Sequence, residues 1–131
     1  MTAFRLFLHV LSASVWVGGM IVMAGTVPTS RHLGGNAGST IATAFIRIMW
    51  PALAVAVVTG LWNVMAIPMQ DLPHPWIELH VLAVVVTGLA AAGHAFAGSN
   101  RMLANSSLVA ATVFGVAAMY LGIAVTTALP G

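Results

Sequence analysis

The sequence contains no cysteine and no lysine, and its only acidic residues are Asp71 and Glu78. Without cysteine there is no disulfide, no covalently attached c-type haem, no thiolate metal site and no iron–sulfur cluster. The remaining metal-ligand types are His, Met, Asn and carboxylates. Charged residues make up 5% of the 131, hydrophobic residues 60%, and the mean hydropathy is +1.04. A soluble globular domain carries roughly 25% charged residues. The composition is that of an integral membrane protein. The pI near 10.7 comes from four dispersed arginines and not from a basic cluster, so it gives no reason to expect a nucleic-acid partner. Motifs for soluble hydrolytic chemistry are missing too: there is no nucleophile elbow, phosphate loop, zinc-protease helix or pair of catalytic carboxylates.

What the sequence does have is long apolar runs of about the 20 residues that a bilayer crossing requires. The patterning predicts four transmembrane helices, over about 4–27, 41–67, 76–97 and 107–129. The first is too long for the 7 to 15 residue core of a signal peptide and is expected to be retained. Residues 28–36, with Pro28, Arg31, His32, Gly34 and Gly35, should end the first helix. Pro51 should kink the second near Trp50. Glycines inside the spans, among them Gly18, Gly19, Gly60, Gly93 and Gly122, let helices approach closely and favour a compact bundle. No internal repeat stands out. The expected fold is an all-α, four-helix transmembrane bundle of up-down topology, one domain over 1–131. Arg31, Arg47 and Arg101 then fall on one side and Arg5, Asp71 and Glu78 on the other. The positive-inside rule makes the first side cytoplasmic and both termini external.

The first helix carries more than grease. From His9, steps of three and four residues reach Ala13, Trp16, Met20 and Met23, so ionisable, aromatic and thioether groups share one face. His80 starts the third span as His9 starts the first, each roughly 6–8 Å below its helix start at about 1.5 Å per residue. An ionisable residue inside a span is by default a functional hypothesis. Two neutral imidazoles on facing helices hold either a b-type haem iron or copper. The competing reading is that each histidine only hydrogen-bonds a neighbouring helix. Arg5, one turn above His9, is placed to pair a haem propionate, to snorkel to headgroups or to meet Glu78. Trp16 would line a ring pocket. His94 lies roughly 21 Å below His80 on the same helix and would belong to a second site, with His32 or Met23, or to a path down the bundle. Met23, Met49, Met65 and Met119 are soft Cu(I) ligands that could form such a path, or simple apolar filler.

At these residues the chain resembles the copper-resistance protein D (CopD) family of membrane domains. His9 followed by Ser14-Val15-Trp16-Val17-Gly18-Gly19-Met20 looks like that family's histidine helix with its Trp-x-Gly-Gly. Phe45-Ile46-Arg47 and Val58-Thr59-Gly60-Leu61 are similar to the arginine-bearing start and Thr-Gly-Leu exit of its second helix. Glu78-Leu79-His80 occupies the place of a Leu-x-x-Lys pattern. The resemblance covers roughly residues 4–97 and implies copper uptake or homeostasis. A more distant similarity to HemJ-type protoporphyrinogen oxidases places His80 where those proteins carry a lysine, and His94 where they carry a later histidine. It implies a scaffold able to hold haem, while the absent lysine argues against oxidase activity.

The expectation is therefore a multi-pass protein of the cell (inner or plasma) membrane that binds copper or haem b between His9 and His80. Arg5 and Trp16 would assist a haem, and Met65, Met119 and His94 would be further metal ligands. Its role would be copper transport or membrane electron transfer, without a catalytic residue of its own. The alternative is a non-catalytic accessory subunit of a larger membrane complex, or a homo-oligomer, binding nothing itself.

Overall fold

The computed structural model describes residues 2–30 and 36–129. These fold into four long helices, α1 (Thr2–Ser30), α2 (Ala37–Val64), α3 (His74–Phe96) and α4 (Arg101–Thr127), with one 3-10 turn at Met69–Asp71. No strand occurs among the described residues. Each of the four is long and apolar enough to cross a membrane, and such helices suit a bilayer because they satisfy their backbone groups internally.

The helices start earlier than apolarity alone predicts, and their last residues shift either way. α1 continues past Pro28 to Ser30, while Arg31 and His32 lie outside the described residues. α2 passes through Pro51 without interruption and stops at Val64, so Met65 falls in the following turn. α4 begins at Arg101, well before the apolar run, because the Asn100 side chain accepts a bond from the Leu103 N–H at 3.0 Å. That cap supplies a partner for one of the orphan donors of the first turn. Gly98 supports the turn before it with φ +54°, a left-handed conformation that glycine adopts without steric cost.

The chain forms two compact units, residues 1–64 and 65–131. Each is an antiparallel helical hairpin. In the first, Ser12, Trp16, Val17, Met20 and Met23 of α1 are buried, as are Met49, Ala56 and Thr59 of α2. Met49 lies over Gly19, where a Cβ would come within 2.9 Å of its sulfur. In the second, α3 buries Ile77, Ala83, Thr87 and Ala91, and α4 buries Leu108, Ala111, Gly115 and Ala118. Faces so rich in small residues allow close helix approach where no hydrophobic drive between helices exists. Outward faces carry large apolar side chains such as Ile48, Val58, Leu89 and Phe96. Hydroxyls on the helices bond back to the preceding turn, Ser14 to the Val10 carbonyl and Thr112 to that of Leu108, so they add no unpaired polar group.

The two hairpins repeat one arrangement. Ser12, Trp16 and Met20 occupy on α1 the positions that Ala83, Thr87 and Ala91 occupy on α3, and Met49 and Ala56 match Ala111 and Ala118. This corrects the sequence-based expectation of no internal repeat. The signal is short but present: Leu8-His9-Val10-Leu11 recurs as Leu79-His80-Val81-Leu82, and Ala56 with Gly60 recurs as Ala118 with Gly122.

Candidate functional site

The repeat is centred on the two histidines. His9 Nδ1 lies 2.8 Å from the Ala56 carbonyl oxygen, with Thr59 Oγ1 at 3.4 Å. His80 Nδ1 lies 2.8 Å from the Ala118 carbonyl oxygen. A carbonyl only accepts, so in each ring Nδ1 carries the proton and donates. In the neutral form the lone pair is then on Nε2. Glycine one turn beyond each accepting residue makes the close approach possible. A Cβ on Gly60 would stand 3.0 Å from His9 Cε1, and one on Gly122 would stand 3.3 Å from His80 Cε1. Sequence, packing and tautomer are linked here: an Ala-x-x-x-Gly face on the second helix of each hairpin admits the imidazole and fixes which nitrogen holds hydrogen.

One heptad below, the hairpins differ. In the second, Thr87 is 2% exposed and donates to the Ala111 carbonyl at 2.5 Å. In the first, the equivalent position is Trp16, buried edge-to-face against Trp50 with ring centroids 5.7 Å apart. Its Nε1–H has no hydrogen-bond partner. A further heptad down, His94 repeats the clamp, with Nδ1 2.7 Å from the Ala104 carbonyl, while α1 has the buried Met23 instead.

Arg5 sits one turn from His9, with its guanidinium carbon 5.4 Å from the centre of the Trp62 ring, within cation–π range. Arg5 Nε and Asn63 Nδ2 are both buried without a partner. Glu78, which the sequence also offered to Arg5, lies 3.5 Å from His74 in an exposed pair one turn apart.

The methionines divide. Met20, Met23 and Met49 are core residues of the first hairpin, Met65 is 85% exposed in the turn beyond α2, and Met119 is half-buried on α4. Among the described residues no three His, Asp or Glu side chains converge as a metal cluster. His32 lies outside the described residues. What sequence reasoning missed was the partner of each histidine, the Ala56 and Ala118 carbonyls, and that Gly60, Gly122 and Thr59, legible only as packing or motif residues, face the rings. Comparison with protein-family models, curated proteins and solved structures finds no match for this chain.

Proposed function

We propose that the chain is a CopD-like multi-pass protein of the cell membrane whose transmembrane histidines His9 and His80 serve, through Nε2, as ligands for copper or b-type haem. The carrying observation is the matched Nδ1–H···O=C bond of each ring. Metal-ligating histidines characteristically donate their other ring N–H to a carbonyl or carboxylate, which sets the tautomer and the ring plane. Bound copper or haem would supply one-electron redox chemistry, or, for copper as cargo, a captured ion; the imidazoles hold and orient it. With haem, the Arg5 guanidinium would pair a propionate and Trp16 would line the ring's surroundings. With copper, Met65, Met119 and His94 offer further donors, for uptake or homeostasis. Arg31, Arg47 and Arg101 face the cytoplasm and both termini lie outside.

A second reading, an accessory subunit packed on a larger membrane complex or on copies of itself, is favoured by His94. The same clamp recurs there without a counterpart in the first hairpin, as expected of a bond that serves packing. Absorption spectra of the purified protein, with reduced-minus-oxidised difference and metal analysis, separate the two. An Asn amide reproduces Nδ1 and its donated bond but has no Nε2. A Soret band or bound copper that is lost in His9→Asn and His80→Asn and kept in His94→Asn supports the ligand role. A colourless, metal-free protein co-purifying stoichiometrically with larger subunits refutes it.

A further inference from the structure

Every buried side-chain polar atom that lacks a hydrogen-bond partner among the described residues is a donor, and all of them lie in the first hairpin: Arg5 Nε, Trp16 Nε1 and Asn63 Nδ2. Two of the three share one level. His9 faces Ala56 and Gly60, so in an antiparallel pair one turn back along α1 meets one turn forward along α2, which sets Arg5 beside Trp62 and Asn63. The contact of the Arg5 guanidinium with the Trp62 ring confirms that register. Buried donors are almost always satisfied in native proteins, so each exception calls for an explanation.

The charge points the same way. Residues 1–64 contain no Asp or Glu, so the Arg5 guanidinium has no counter-charge within its own hairpin. Trp62 compensates it only through its ring face and leaves the guanidinium edge with Nε–H to donate. Two donors at one level, one of them cationic and without a counter-charge in its hairpin, point to what is missing: an oxygen-rich anion.

We propose that the Arg5, Trp62 and Asn63 end of the α1–α2 hairpin is a binding site for the oxyanion of a membrane amphiphile, a phosphate or a carboxylate. Arg5 Nε and Asn63 Nδ2 donate to its oxygens, and Trp62 holds the guanidinium plane. A phospholipid headgroup provides the phosphate and a haem propionate the carboxylate. The carboxylate source rests on the haem reading above; the phosphate source does not.

The test uses the full chain in neutral detergent, with two probes, phosphatidylglycerol followed by native mass spectrometry, and haem b compared with its dimethyl ester followed by absorption titration. The variants are Arg5→Gln, Arg5→Lys, which keeps the charge but loses Nε–H, and Asn63→Leu. Monodisperse elution and unchanged far-ultraviolet circular dichroism establish folding. Loss of a charge-assisted hydrogen bond predicts affinity weakened roughly tenfold to a hundredfold in each variant. Phosphatidylglycerol adducts lost in the variants assign phosphate. Haem affinity that falls in the variants, with the dimethyl ester indifferent to them, assigns carboxylate. Phospholipid discrimination without any haem binding sinks the haem reading and leaves this site standing. Wild-type protein that retains neither probe, or folded variants that bind both as tightly as wild type, overturns the proposal.

Discussion

Replacing helix glycines by alanine tests the histidine clamp directly, because three glycines in equivalent secondary structure differ only in what a Cβ would meet. At Gly18 nothing lies within 4 Å. At that position Gly→Ala should stabilise by about 0.5–1 kcal/mol, the helix-propensity difference. At Gly60 the new Cβ would stand 3.0 Å from His9 Cε1 and 3.3 Å from Nδ1, so the ring must move away from α2 and its bond to the Ala56 carbonyl must stretch. Overpacking typically costs about 1–3 kcal/mol. Set against the propensity gain, Gly60→Ala should destabilise by about 1–2 kcal/mol. Gly122→Ala, with contacts of 3.3 and 3.5 Å to His80, should fall between them, close to neutral.

The assay is reversible unfolding of the purified protein in mixed dodecyl sulfate micelles, read by tryptophan emission. The predicted order of stability is Gly18→Ala, then Gly122→Ala, then Gly60→Ala, with about 2 kcal/mol between the extremes. A double-mutant cycle gives the sharper readout. In a His9→Ala background the ring is gone, and Gly60→Ala should change from a cost to a gain of about 0.5–1 kcal/mol. If Gly60→Ala matches Gly18→Ala, or if its cost persists without the imidazole, then the close packing of His9 on α2 is not what holds this hairpin.

Trp16→Phe removes an unpartnered N–H but also trims a buried ring packed on Trp50, so relief of the donor offsets part of the cavity cost and the net loss in the same assay should stay below about 2 kcal/mol; a larger loss would reveal a partner for that group. Thr87→Val removes a donor that bridges α3 to α4 and should cost about 0.6–1.7 kcal/mol. Thr112→Val, which breaks only a bond within α4, should cost less than half of that. Glu78→Gln removes one partner of a pair whose side chains are 68% and 72% exposed, so no change above about 0.5 kcal/mol is expected at any salt concentration.

The long apolar runs made the helices legible, because bilayer length and backbone satisfaction leave few other solutions. Their ends were less so. Capping at Asn100 and continuation through Pro28 and Pro51 depend on local geometry that hydropathy does not carry. Of the candidate residues, His9, His80 and His94 were identified by rarity, since an ionisable group inside a span is conspicuous in any sequence. Their partners were invisible for the opposite reason. A backbone carbonyl belongs to every residue, and only the facing helix decides which one, here Ala56, Ala118 and Ala104, receives the proton. The methionine series shows the limit of periodicity. Met20 and Met23 share a face with His9 as the spacing indicates, yet that face is the packed core of the hairpin, and Met65 lies beyond the helix altogether.

The internal repeat gives these observations a common logic. Two hairpins with the same histidine clamp and the same glycine one turn along should be interchangeable if packing were their only task. They are not, because the second is self-satisfied: Thr87 reaches the Ala111 carbonyl, His94 adds a further clamp, and no buried donor on it is left over among the described residues. The first gives up that economy at two levels, with Trp16 in place of a threonine that could reach across, and with Arg5 and Asn63 unpartnered beside Trp62. An unsatisfied donor costs about 1–3 kcal/mol wherever it is buried. Three of them concentrated in one copy of a repeated design are hard to explain by the repeat's stability, because the other copy shows how the same backbone does without them. On the proposal above, the divergence is what an oxyanion site on the first hairpin requires, and it makes Arg5 and Asn63 the residues to change first.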